Sequence, residues 1–213
     1  MNILFYNNTY LWNNQSVISL ELAERFKKHQ IFFLTCDETL FSCAANPEKI
    51  KNICKTCLVN KDKTLKNLKK QNNFQELILS RKINYNKFSF KLKDFYQLRE
   101  IYYKNMPIGE LVISQICDNE KSDYLSREFI LRNKDRIIKE LNSGIELFEN
   151  VISKINNYKI EKIYAWNGRR ASDGPVIFAA KYKRIPFKTF ISSNPKQYSL
   201  SKGTKIHDLK EIK

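Results

Sequence analysis

Two hydrophobic periods alternate along this chain and predict strands and helices in turn. Asn2 to Tyr6 (NILFY) and Ile31 to Thr35 (IFFLT) are short apolar runs, and between them Ile18, Leu22 and Phe26 recur every four residues. Short unbroken apolar runs suit strands covered on both faces, whereas i, i+4 spacing suits one face of a helix. The chain therefore opens as strand, helix from Ser16, strand, with Lys27, Lys28 and His29 closing the helix where its dipole favours cations. The loop after the first run, Asn7, Asn8, Thr9 and Tyr10, is polar rather than glycine-rich. With neither GxGxxG nor GxxxxGK[ST] present, a dinucleotide fingerprint or P-loop is unsupported.

The same order returns between Lys159 and Ile191. An apolar run from Ile160 to Trp166 meets Asn167-Gly168, then Arg169-Arg170, then Ser172-Asp173-Gly174-Pro175, and Val176 to Tyr182 resumes helical spacing. Asn-Gly tolerates positive φ, Ser172 or Asp173 can cap a helix, and Pro175 suits its first turn. Phe187 to Ile191 then closes a β-α-β unit with parallel strands. In such sheets ligands sit beyond the carboxyl ends of strands, the position of Asn167 to Asp173.

Between these units the pattern is less regular. Leu65 to Tyr103 mixes helical spacing (Phe95, Leu98, Tyr102) with a strand-like fragment from Ile83 to Phe90. Ile108 to Ile116 reads as an amphipathic helix, and Tyr124 to Asn157 as one long helix with Ile137, Leu141, Ile145, Phe148, Ile152 and Ile155 as its core stripe. The tail from about residue 192 is polar and reads as a loop. The expected architecture is one α/β domain over 1–213, a Rossmann-like parallel sheet flanked by helices, with a cysteine-containing loop insertion at 36–60.

Composition changes this picture in two ways. The net charge is +16, from 38 Lys and Arg against 22 Asp and Glu, which favours anionic partners. The lysines are scattered, densest from Lys61 to Lys93, and read either as a solvated face or as a surface for anionic membrane or polyanion. The start has no basic region of a signal peptide and no run reaches the roughly 18 apolar residues of a membrane span, so a cytosolic location is expected, allowing peripheral contact with a membrane face.

The second change is the spacing Cys36-x6-Cys43-x10-Cys54-x2-Cys57, four of the five cysteines. In a cytosolic chain such clustering points to a zinc ion or an iron–sulfur cluster, or else to buried or redox-active thiols. Cys117 stands apart and reads as a small hydrophobe.

The strand ending at Thr35-Cys36-Asp37, the cysteine spacing with Asn46 after the second cysteine, Pro107-Ile108-Gly109 before a helix, and the strand ending in Trp166-Asn167-Gly168-Arg169 together resemble bacterial surface and capsule polysaccharide glycosyltransferase-like proteins. The resemblance runs from Asn2 to about His207 and implies the N-terminal, acceptor-side half of a GT-B architecture. A nucleotide-sugar donor would be held by a donor domain that this chain does not supply, and the acceptor would be a glycan or lipid-linked glycan. It further implies Asp37 or Asp173 as the general base, and Asn7, Asn8, Tyr10, Asn167, Gly168, Arg169 and Arg170 as substrate contacts. The alternative is a basic nucleic-acid-binding protein with a four-cysteine structural metal. Against it, no RNA- or DNA-binding motif is present.

Overall fold

The computed structural model describes residues 1–11, 13–80, 92–194 and 197–201. Its centre is a six-stranded sheet of β1 (Asn2–Tyr6), β2 (Gln30–Thr35), β3 (Phe74–Ile78), β4 (Lys162–Trp166), β5 (Phe187–Asn194) and β6 (Gln197–Ser201), in the order β3-β2-β1-β4-β5-β6. The first five strands are parallel and β6 pairs antiparallel with β5. The expected α/β Rossmann-like fold is the observed one.

The unbroken apolar runs form strands because each strand buries both faces. Leu4, Tyr6, Phe32, Leu34, Ile163 and Ala165 point into one core, while Ile3, Phe5, Ile31, Phe33 and Tyr164 point into the other. Helix α1 (Asn13–Arg25) and the end of α2 (Lys51–Leu65) cover the second face through Ile18, Leu22 and Leu65. Phe5 stacks on Phe33 and on Tyr164, with ring centroids 5.1 Å apart in each pair. Each such pair adds about 0.5–1.5 kcal/mol beyond burial and ties β2, β1 and β4 in register.

The opposite face carries α4 (Ile108–Glu120), α6 (Lys134–Tyr158) and α7 (Gly174–Tyr182), with short α3 (Phe95–Arg99) and α5 (Arg127–Arg132) beside them. The stripe read from α6 is the buried one: Ile137, Leu141 and Phe148 have no exposure. Among the described residues no helix is long and apolar enough to cross a membrane.

Several expectations are corrected. Helix α1 begins at Asn13 rather than Ser16, and the long helix expected from Tyr124 is two, divided at Asn133. The Ser126 hydroxyl accepts from the Phe129 amide at 3.1 Å and starts the first helix at Arg127 rather than Tyr124, and at the break Asn133, at φ −105°, turns its side-chain amide back onto the Phe129 carbonyl at 3.0 Å. The insertion at 36–60 is not all loop, because α2 holds Cys54 and Cys57. The tail is strand through Asn194 and again from 197 to 201; Gln-Tyr-Ser-Leu-Ser alternates with period two, the signal a loop reading overlooks. Strand β3 was not expected, and the strand-like fragment read at 83–90 lies outside the described residues.

Candidate functional site

The strand order reverses direction between β1 and β4, so the crevice outside their carboxyl ends is the topological switch point of the sheet. Two polar loops meet there. After β1 come Asn7, Asn8 and Thr9, each at most 6% exposed. After β4, Asn167 at φ 51° and Gly168 at φ 89° turn the chain sharply, and a Cβ on Gly168 would stand 2.9 Å from Ile177 Cγ1. Asn-Gly serves here because both residues tolerate the left-handed region.

The loops are joined by side chains. Asn8 Nδ2 donates to Asp173 Oδ2 at 3.3 Å and to Ser172 Oγ at 3.4 Å, and Tyr6 Oη donates to the Ser172 carbonyl at 2.8 Å. Asn7 Oδ1 accepts from Ser19 Oγ of α1 at 2.6 Å. Asp173 has no exposure, and its Oδ1 accepts from the Arg170 amide at 2.8 Å. Burial pushes its carboxyl up to about 7, against the opposing pull of backbone hydrogen bonds and of Arg170 and Arg169. Asp173 sits at the N-cap position of α7 but makes no capping hydrogen bond with its side chain, which turns back into the loop.

Both arginines are engaged by Asp118 in the last turn of α4. Arg169 Nη2 lies 2.8 and 2.7 Å from the two carboxylate oxygens, and Arg170 Nε lies 2.7 Å from Oδ2. One carboxylate thus serves two guanidinium groups and offsets half of their charge. Around the crevice, Asn8 Oδ1, Asn167 Oδ1 and Arg169 Nε are buried without a hydrogen-bond partner among the described residues. Buried polar atoms are normally paired, so these three, set at a switch point, are candidates to hold a polar ligand.

The structure thus brings together Asn7, Asn8, Asn167, Gly168, Arg169, Arg170 and Asp173. Tyr10 goes elsewhere, its ring packing in the α1-side core. Asp37 follows β2 and is exposed, and among the described residues no side-chain hydrogen bond or ion pair joins it to this group.

Sequence reading missed Asp118, Gln115 and Glu140. Gln115 Oε1 accepts from the Ser172 amide at 3.0 Å, and Gln115 Nε2 donates to Glu140 Oε2 at 3.1 Å. Glu140 has no exposure; burial raises its carboxyl to about 7, with Arg136 pulling the other way from 3.3 Å. The signal was available: Gln115 falls among Leu111, Val112 and Ile116 on a buried stripe, and Glu140 between Ile137 and Leu141.

The four clustered cysteines line one cavity beside this crevice, together with Asn8 and Thr9, with about 40 Å³ of space for water-sized molecules. Cys36 follows β2 and Cys43 opens a tight turn closed by the Asn46 amide on the Cys43 carbonyl at 3.0 Å. Asn46 in turn receives the Ile50 amide at 2.8 Å and donates to Cys54 Sγ at 3.2 Å. Cys57 Sγ accepts from the Tyr10 amide at 3.3 Å. Burial raises the Cys36 thiol and pushes Cys43 up to about 12, so both remain protonated at neutral pH.

A tetrahedral zinc or iron–sulfur site needs converging thiolates. Among the described residues no three His, Cys, Asp or Glu side chains are grouped so as to hold a metal ion. The cysteines share a cavity but, as arranged, do not fit a metal centre.

Comparison with family models, curated proteins and solved structures gives no match. Asp173 is enclosed by its donors, and the exposed Asp37 stands apart.

Proposed function

We propose that this chain is a glycan-binding, acceptor-side domain of a glycosyltransferase-like protein of surface polysaccharide synthesis. One observation carries the reading: buried, unpaired Asn8 Oδ1, Asn167 Oδ1 and Arg169 Nε stand around the crevice where the strand order of a Rossmann-like sheet reverses. Sugar hydroxyls both donate and accept, so one polyol can satisfy carbonyl acceptors and a guanidinium donor together. Asp118 occupies Arg169 Nη2 and Arg170 Nε and leaves Arg169 Nε for a hydroxyl acceptor. Under this reading the nucleotide sugar is held by a separate donor domain, and the present residues bind and orient the acceptor.

The test is a titration of purified protein with a panel of bacterial-type oligosaccharides, followed by ligand-detected NMR. Saturable binding that weakens tenfold or more in Asn8→Ala and in Asn167→Ala, but not in Asp37→Ala, is expected. Absence of saturable binding across the panel, or binding indifferent to Asn8→Ala, overturns the reading. The nucleic-acid alternative predicts instead an affinity for single-stranded RNA that falls steeply with salt and ignores Asn8→Ala.

A further inference from the structure

The cysteine-lined cavity opens beside the crevice and shares Asn8 and Thr9 with it. Besides the four cysteines its wall is built of aliphatic Leu11, Leu40, Ala45, Ile53 and Leu58 and of polar Asn8, Thr9, Glu38, Ser42, Asn46 and Lys49. With Cys36 and Cys43 held as thiols by burial, these two behave as small, weakly polar groups rather than as anions.

Two of these polar side chains have hydrogen-bonding capacity beyond their present partners. Asn8 is 6% exposed; its Nδ2 is used by Asp173 and Ser172, while its Oδ1 has no partner among the described residues. Lys49 Nζ donates to the carbonyls of Glu38 and Leu40, and an ammonium has a third N–H beyond those two. An amide acceptor, an ammonium donor and an aliphatic wall match a secondary amide bearing a small alkyl group.

Resting on the glycan-binding reading above, we propose that this cavity is the subsite for the acylamino group of an N-acylated amino sugar. The amide N–H meets Asn8 Oδ1, the acyl carbonyl faces Lys49, and the methyl group lies among the thiols and aliphatic side chains. The sugar ring remains in the crevice by Asn167 and Arg169.

The test compares the methyl glycosides of N-acetylglucosamine and N-acetylgalactosamine with those of glucose and galactose, by saturation-transfer NMR and by the rate at which iodoacetamide alkylates Cys57. The N-acetyl glycosides should bind at least tenfold more tightly than their parents and slow alkylation of Cys57. Ala45→Val, which fills a half-buried part of the wall, should erase the preference while leaving binding of the parent glycosides unchanged. Equal binding of both classes, or a preference with no protection of Cys57, overturns the subsite and leaves the glycan-binding reading standing. No binding by any glycoside overturns both. A preference that survives Ala45→Val places the acyl group elsewhere and also overturns it.

Discussion

Replacing Asp173 by asparagine tests the electrostatics of the site directly. The ordinary value for this carboxyl is 3.8, and burial carries it to about 7 in the folded chain. Below about pH 4 both folded and unfolded chains hold the proton, and the group costs nothing by this route. Between 4 and 7 the unfolded chain releases the proton while the folded chain keeps it, so stability falls as pH rises. At about 1.4 kcal/mol per decade, the full loss is about 4 kcal/mol above pH 7. Asp173→Asn removes the titration while keeping an oxygen to accept from the Arg170 amide. The stability difference, variant minus wild type, should then be about 2–3 kcal/mol larger at pH 8 than at pH 5. Urea unfolding at several pH values measures it, with the midpoint compared at constant slope. Glu140 titrates in the same range in both proteins and cancels in the difference. Parallel pH profiles for the two proteins, or a variant that loses stability as pH rises, would refute the claim that burial dominates at Asp173.

Three further outcomes follow from the geometry. Gly168→Ala places a Cβ at φ 89° and 2.9 Å from Ile177 Cγ1, so thermal unfolding should show a loss of about 1–3 kcal/mol, and an unchanged midpoint would disprove the strain. Asp118→Asn leaves Arg169 and Arg170 without their shared carboxylate; the variant should melt earlier, and added sulfate should raise its midpoint more than that of the wild type. Because the thiols do not converge on a metal site, chelator treatment should leave the melting midpoint unchanged, and elemental analysis should find well under one metal per chain. Near-stoichiometric zinc or iron lost in Cys54→Ser would contradict that arrangement.

The sequence pattern reveals most of the scaffold because strands buried on both faces and a helix with one apolar stripe leave strong periodic traces. NILFY, IFFLT and the stripe from Ile137 to Ile155 could hardly be read otherwise. The edge strands were harder. β3 and β6 lie at the two ends of the strand order, and FQELI and QYSLS show short alternations that local polarity disguises. For the site, strand-end position was enough for Asn167 to Arg170 and Asp173, whereas Asn7 and Asn8 came from the family resemblance and meet that loop through Asn8. It was not enough for Tyr10, whose ring turns into the α1-side core, or for Asp118, whose partners lie 51 and 52 residues away in sequence. Contacts of that span leave no local period to detect.

Polar residues inside the core fix the shape of the crevice. Tyr6 Oη holds the Ser172 carbonyl, Gln115 receives the Ser172 amide, and Gln115 in turn donates to Glu140, which Arg136 also approaches. The backbone of one residue in the β4–α7 loop is thereby clamped from β1 on one side and from α4 and α6 on the other. A buried carboxylate such as Glu140 is a poor source of net stability, since its desolvation offsets what its partners supply. An aliphatic residue would serve a purely structural core as well, so the relay is better understood as fixing geometry than as adding stability. Gln115→Leu separates the two roles: it removes the partner of the Ser172 amide and of Glu140 Oε2 while Arg136 still pairs with Oε1, so it should loosen the Ser172–Asp173 loop and weaken ligand binding. Hydrogen exchange at the Ser172 amide reports the loop independently of global unfolding. Exchange that accelerates only in step with global unfolding would show that the relay contributes to the core as a whole and not to the site.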